Sequence, residues 1–289
     1  MDSLPIDFHE RVTACFYSNS FPACTKISGF FGAFARRTFD NLWRNTIVIQ
    51  DGRITRNYVF PYHRTIFEKL ENRQKKYLKN VIVHIHAGDE EYSARSAAAL
   101  QQISEYLSDK STVLVLHTTN LSAEIEEFIG SLRSINLLEF STTVTRQMEK
   151  ILTKLVDKKI LNYLHFHGKQ QFSPEMTDLV TKLMRQDQAF CLEMHDNWKL
   201  EDVVAFWEEN CEKLAGKQVW FEEKARDFGL FGFKQCGKRE ERYFDRRFPF
   251  VKSNWSATVD VFVRRNKNER AMYLVIDAAQ RMENLVMFD

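Results

Sequence analysis

Five histidines sit where strand geometry can group them. His84-Ile85-His86 and His165-Phe166-His167 are two pairs with one residue between the members, and His195 follows Glu193 by the same interval. Each lies in an apolar segment with a two-residue period: VIVHIHAG at 81–88, NYLHFHGK at 162–169 and AFCLEMHD at 189–196. Successive side chains of an extended chain point to opposite faces. Val81, Val83 and Ile85 therefore share one face and His84 and His86 the other. Likewise Leu164 and Phe166 oppose His165 and His167, and Leu192 and Met194 oppose Glu193 and His195. In LLEF at 137–140, Glu139 opposes Leu138 and Phe140. Imidazoles and carboxylates on one face can ligate a metal or move protons.

Spacing limits both options. The two His-x-His pairs fall three strands apart in sequence order. At about 4.8 Å per strand that is roughly 14 Å, too far for one ion to bridge. His165 or His167 with Glu193 and His195 makes a tighter set. Acid–base chemistry needs a nucleophile or a bound group, and the chain has no G-x-S-x-G, phosphate-binding loop or G-x-G-x-x-G. The same residues also suit a polar sheet face on which another protein lands. The expectation is no catalytic residue, no metal and no cofactor.

The elements that carry these residues recur. Strand-like segments begin near Val81, Thr112, Leu137, Leu161, Ala189 and Lys217, roughly every 24 to 31 residues, the spacing of one strand plus one helix. Amphipathic helices are predicted between them, with starts marked at Ser122, at Thr143 or Thr145, and at Ser173-Pro174. Strand–helix order predicts parallel strands. Polar residues on one strand face favour helices on one side, an irregular stack like leucine-rich repeats in layout but without their Asn ladder. A doubly wound sheet is the alternative. The run 219–251, punctuated by Gly229, Gly232 and Gly237, is expected to be loops with short extended pieces. Alternation in 257–264 and 272–277 predicts a C-terminal antiparallel hairpin that closes the stack.

Composition bounds the class. The chain has 289 residues, 44% hydrophobic, with 41 basic and 39 acidic residues for a net charge of +2. That balance argues against a protein that coats nucleic acid. Five cysteines without a C-x-x-C suggest neither a disulfide framework nor a zinc knuckle. No run approaches the length of a membrane span, and the N-terminus has no apolar leader core. A cytoplasmic or nuclear location is expected.

Ahead of the repeated body, LPIDFHERVTACF predicts a helix with Pro5 in its first turn, followed by short helices around Gly29. TIVIQDGRITRNYVF predicts a bulged hairpin about Asp51-Gly52, and 65–77 a basic helix. Residues 1–45 are read as a helical module, 46–80 as a hairpin and helix linker, and 81–289 as the α/β repeat domain with its cap.

The LPxxFxxRV pattern of Leu4, Pro5, Phe8, Arg11 and Val12 resembles the start of an F-box. It is of the kind found in nematode F-box-like proteins that carry a long associated C-terminal domain. The resemblance implies that Leu4, Pro5, Phe8, Val12, Ile27, Phe30, Phe31 and Phe34 bind a Skp-family adaptor. It also implies that His84, His86, Glu139, His165, His167, Glu193 and His195 face a client protein. The expected function is then a non-catalytic substrate-recognition adaptor of an SCF-type ubiquitin ligase. Two alternatives stand beside it: an interaction scaffold whose F-box no longer binds the adaptor, and an α/β hydrolase-like enzyme using His165, Glu193 and His195.

Overall fold

A computed structural model describes residues 24–50, 53–61, 78–86, 111–170, 172–194, 197–222, 228–248, 259–277 and 283–289, with Phe8, Leu100, Gln101, Ile103 and Leu107 singly. The chain divides into two compact units. One comprises Met1–Val115 and Ser122–Ser134, the other Leu116–Leu121 and Ile135–Asp289.

In the first unit, helix α1 (Gly29–Asn41) leads almost directly into strand β1 (Trp43–Gln50). β1 pairs antiparallel with β2 (Arg53–Pro61), with a bulge at Val48/Ile49, and parallel with β3 (Leu78–His86). The order is β2-β1-β3-β4, β4 being Ser111–His117, whose last two residues belong to the second unit. Alternation on β1 and β3 buries Ile47, Ile49, Val81, Val83 and Ile85, each at most 2% exposed. Helix α2 (Ala123–Ser131) starts where Ser122 Oγ accepts from the Ile125 amide, one of the orphan donors of a first turn.

The residues expected to hold an adaptor divide. Leu4, Pro5 and Val12 lie outside the described residues. Phe8, Ile27 and Phe30 are exposed and Phe34 is half-buried, whereas Phe31 turns into the core. Gly32 packs so close to Ile27 that a Cβ would stand 1.6 Å from its carbonyl oxygen, so α1 tolerates no side chain there.

The second unit has the order β5-β6-β7-β8-β12-β11-β10-β9. β5 (Leu137–Phe140), β6 (Tyr163–Phe166), β7 (Cys191–Glu193) and β8 (Gln218–Glu222) run parallel. Helices α3 (Arg146–Asp157), α4 (Pro174–Met184) and α5 (Leu200–Leu214) connect them. α3 packs on α4 and α4 on α5, so these helices share one side of the sheet. α3 buries Met148, Ile151, Leu152, Leu155 and Val156, the 3-and-4 spacing of an amphipathic helix. Thr145 caps α3 and Ser173 caps α4, each accepting the N3 amide. Beneath them Leu138, Phe140, Leu164, Phe166, Leu192 and Val219 are completely buried.

Side-chain amides stitch the loops that follow the parallel strands. Gln147 bonds both backbone groups of Leu121, its Oε1 accepting at 3.2 Å and its Nε2 donating at 2.6 Å. Gln170 accepts from the Val144 amide at 2.9 Å, and Asn197 accepts from the Gln170 amide. These amides join each loop to its neighbour at one end of the parallel strands.

Past β8 the sheet turns antiparallel. β8 pairs with β12 (Glu283–Phe288), β12 with β11 (Ala271–Asp277), β11 with β10 (Val259–Arg265), and β10 with the two-residue β9 (Lys234–Gln235). Helix α6 (Lys238–Arg247) occupies part of the run expected to be loop. Glu240 accepts from the Gly237 amide, and the single buried residue of the helix, Phe244, fixes it to Tyr273 and Phe248.

The expected fold class is corrected. The chain is not a small helical module followed by a repeat stack with a hairpin cap; its twelve described strands form mixed sheet with flanking helices. In the first unit the β1–β2 hairpin is hydrogen-bonded to β3 through β1. In the second, β12 inserts between β8 and the β10–β11 hairpin, so that hairpin never caps β8. The physical reason is edge satisfaction: the unpaired amides and carbonyls of β8 are completed by the chain's last strand. Leu285, Val286, Met287 and Phe288 are at most 1% exposed there.

Candidate active site

Sheet register assembles the site in the second unit. Glu139 on β5 lies opposite His165 on β6, which lies opposite Glu193 on β7, which lies opposite Trp220 on β8. All four are half-buried; Glu139, His165 and Glu193 lie opposite the face that buries Leu138, Leu164 and Leu192, and Trp220 packs against the hydrophobic cluster around Phe244 and Tyr273. His165 Nδ1 stands 3.6 Å from Glu139 Oε2 and its Nε2 3.8 Å from Glu193 Oε1. The imidazole side chain is 14% exposed and the carboxylates 25% and 22%, so the row is accessible yet partly shielded from water.

Each carboxylate is anchored from below. Ser141 Oγ donates to Glu139 Oε1 at 2.8 Å, and the Tyr163 hydroxyl donates to Glu193 Oε2. Hydrogen bonding from His165 lowers the Glu139 pKa to about 2, against a burial effect that raises it; Ser141 and the charges of His165 and His117 assist. Burial foremost, then the neighbouring Cys191 and Glu193, raises the Tyr163 pKa, so its phenol remains an O–H donor. Burial also raises the Cys191 pKa, which removes its thiolate as a nucleophile at neutral pH.

Glu139 sets a pH dependence. Its carboxyl is depressed in the folded protein, so its contribution to stability is present above the ordinary value of 4.5 and is lost as pH falls towards about 2. Allowing for solvent screening, the contribution is on the order of 1 kcal/mol. The stability gap between the natural protein and Glu139→Gln, from urea titrations at neutral pH and near the low end of that window, is expected to shrink on acidification. A gap independent of pH would show that the carboxylate is not held by its partners.

The other sequence-predicted residues are distributed differently. His167 is exposed, with its ring centroid 6.0 Å from that of His165. His84 and His86 lie on the half-buried face of β3 in the first unit, with centroids 6.4 Å apart. His84, His86 and His117 each offer a ring nitrogen able to ligate a metal. His195 lies outside the described residues. Tyr163, Ser141 and His117 were missed as participants. Tyr163 precedes His165 by two residues and Ser141 follows Glu139 by two, so strand alternation was the available signal.

No family model and no curated protein matches the chain. Among solved structures it is similar to the pyridoxal kinase from Staphylococcus aureus in complex with AMP-PCP and pyridoxal. The sequences are 10% identical over 69% of this chain and 72% of that one, with a TM-score of 0.30, which transfers neither activity nor ligands.

The assignment to F-box-like proteins is corrected, and with it the non-catalytic adaptor, the scaffold with a degenerate F-box, and the Skp-family and client partners. The finding against them is the fold: the described strands form mixed sheet with flanking helices, not a strand-helix repeat stack behind a helical module. Glu139, His165 and Glu193, expected on a client-facing surface, share one face of the parallel strands. In the second unit it holds a half-buried imidazole between two anchored carboxylates, a constellation with chemical capacity. Among the described residues no helix is long and apolar enough to cross a membrane.

Proposed function

We propose that the β5–β7 face is the acid–base site of a hydrolase-like enzyme, with His165 as the proton-transferring group. The observation that carries this is the placement of His165 between Glu139 and Glu193, each ring nitrogen facing one carboxylate. Each ring nitrogen stands within 4 Å of its carboxylate, and the imidazole side chain keeps 14% of its surface open to water or substrate.

Glu139, held as a carboxylate, accepts from Nδ1–H and fixes the tautomer that exposes the Nε2 lone pair, as the acid of a catalytic triad does. Nε2 takes a proton from water while the oxygen adds to the carbonyl carbon of a small ester. The imidazolium then returns that proton to the departing alkoxide, leaving acid and alcohol. Glu193, fixed by Tyr163, orients the water. Cys191 takes no part.

Hydrolysis of p-nitrophenyl acetate by the folded protein tests the reading. His165→Ala is expected to lower the rate roughly a hundred- to ten-thousand-fold, and Glu139→Gln to lower it less while shifting the pH profile. Equal rates for the natural protein and His165→Ala would overturn the assignment.

A further inference from the structure

A second site lies at the antiparallel end of the same unit, separate from the acid–base row. A cavity of about 360 Å³ is lined by Arg239, Glu240 and Tyr243 of α6, Arg265 at the end of β10, and Tyr273 of β11. Tyr273 is 0% exposed, and its hydroxyl has no hydrogen-bond partner among the described residues. A buried donor left unmade costs about 1–3 kcal/mol, so an orphan hydroxyl in a cavity wall marks a place for an acceptor.

The surroundings specify which acceptor. Burial pushes the Tyr273 pKa up to about 12, so the phenol keeps its proton and can only donate to an anion. Arg239 and Arg265 are exposed, and no ion pair to a carboxylate is found for either among the described residues. Arg265 spends one N–H on the Glu269 carbonyl at 3.2 Å and keeps others. The acids nearby are already engaged. Glu240 accepts from the Gly237 amide at 3.0 Å, and Asp289 accepts from the Tyr243 hydroxyl at 2.8 Å and from Arg247 Nε at 3.3 Å. Two guanidinium forks suit a tetrahedral oxyanion. The Tyr243 ring is 42% exposed and lies near-parallel to that of Tyr273, with centroids 6.5 Å apart, an aromatic wall for the group that bears the anion.

We propose that this cavity binds a phosphomonoester, its phosphate held by Arg239, Arg265 and the Tyr273 hydroxyl and its organic group against Tyr243. Calorimetric titration of the full chain with phenyl phosphate, and separately with inorganic phosphate, tests it. Phenyl phosphate is expected to bind, more tightly than inorganic phosphate. Arg239→Gln and Arg265→Gln should each weaken it about tenfold. Both side chains are exposed, so the fold is not at risk. Tyr273→Phe removes only the orphan hydroxyl, so it should weaken binding by about three- to tenfold while leaving thermal stability equal or higher. His165→Ala should leave binding unchanged, which separates this site from the acid–base row. The proposal is overturned by absence of phenyl phosphate binding at about 10 mM. It is equally overturned by affinity unaltered in Arg265→Gln and Tyr273→Phe, or by inorganic phosphate binding as tightly as phenyl phosphate.

Discussion

Phe166→Ala is expected to destabilise the protein by about 3–5 kcal/mol, the range for emptying a fully buried aromatic site. Phe166 is 0% exposed. Its ring stacks on Phe140 with centroids 5.4 Å apart at 14°, and meets Phe172 edge-on at 4.9 Å. It lies between His165 and His167, so the same backbone that carries the proposed proton-transfer group is seated by this ring. The interior around it is made of α3–α5 and the parallel strands, whose regular backbones cannot collapse far into the space. Phe166→Leu, which keeps most of the volume, is expected to cost about 1–2 kcal/mol. Chemical denaturation with the natural protein as reference measures both. A loss below about 1 kcal/mol for the alanine variant would mean that Phe166 does not seat β6.

Lys217→Met should cost about 2–4 kcal/mol, although it removes a charge that burial disfavours. Lys217 is 5% exposed at the entry to β8, and its ammonium donates to the carbonyls of Gln186 and Ala189 at 2.6 Å each. These carbonyls lie in the loop between α4 and β7, so one side chain ties that loop to the next strand. Methionine fills a similar volume but leaves the carbonyls without their donor. Burial lowers the lysine pKa from 10.5, with Asp187 opposing. The unfolded chain therefore binds the extra proton between the lowered value and 10.5, and stability of the natural protein rises with pH across that interval. Lys217→Met should lack this rise. Equal stability of the two proteins at neutral pH would mean that water satisfies both carbonyls.

Strand alternation alone put Glu139, His165 and Glu193 opposite the apolar faces of their segments, because a two-residue period follows from backbone geometry. The helix starts were local as well: Ser122, Thr145 and Ser173 accept amides three residues onward, an interaction contained in one turn. Site partners were harder to see. Tyr163 and Ser141 followed the same alternation, but their value depends on the side chain across the sheet. α6 was read as loop because Gly229, Gly232 and Gly237 punctuate the run; a single buried Phe244 against Tyr273 seats that helix. The F-box likeness rested on a few spaced residues, and such spacing fixes no surface.

The sequence by itself determined the periods, the helix caps and the face on which each polar residue stands, all set by interactions within a few residues. Tertiary structure decided the neighbours. Register across β5, β6 and β7 turned three separated residues into Glu139–His165–Glu193. The insertion of β12 between β8 and β11 completed the sheet and placed β11 beneath α6, with Tyr273 in the wall of the arginine-lined cavity. Pairing joins strands far apart in the chain, and the choice among open edges depends on which partner buries the most apolar surface while satisfying every backbone group.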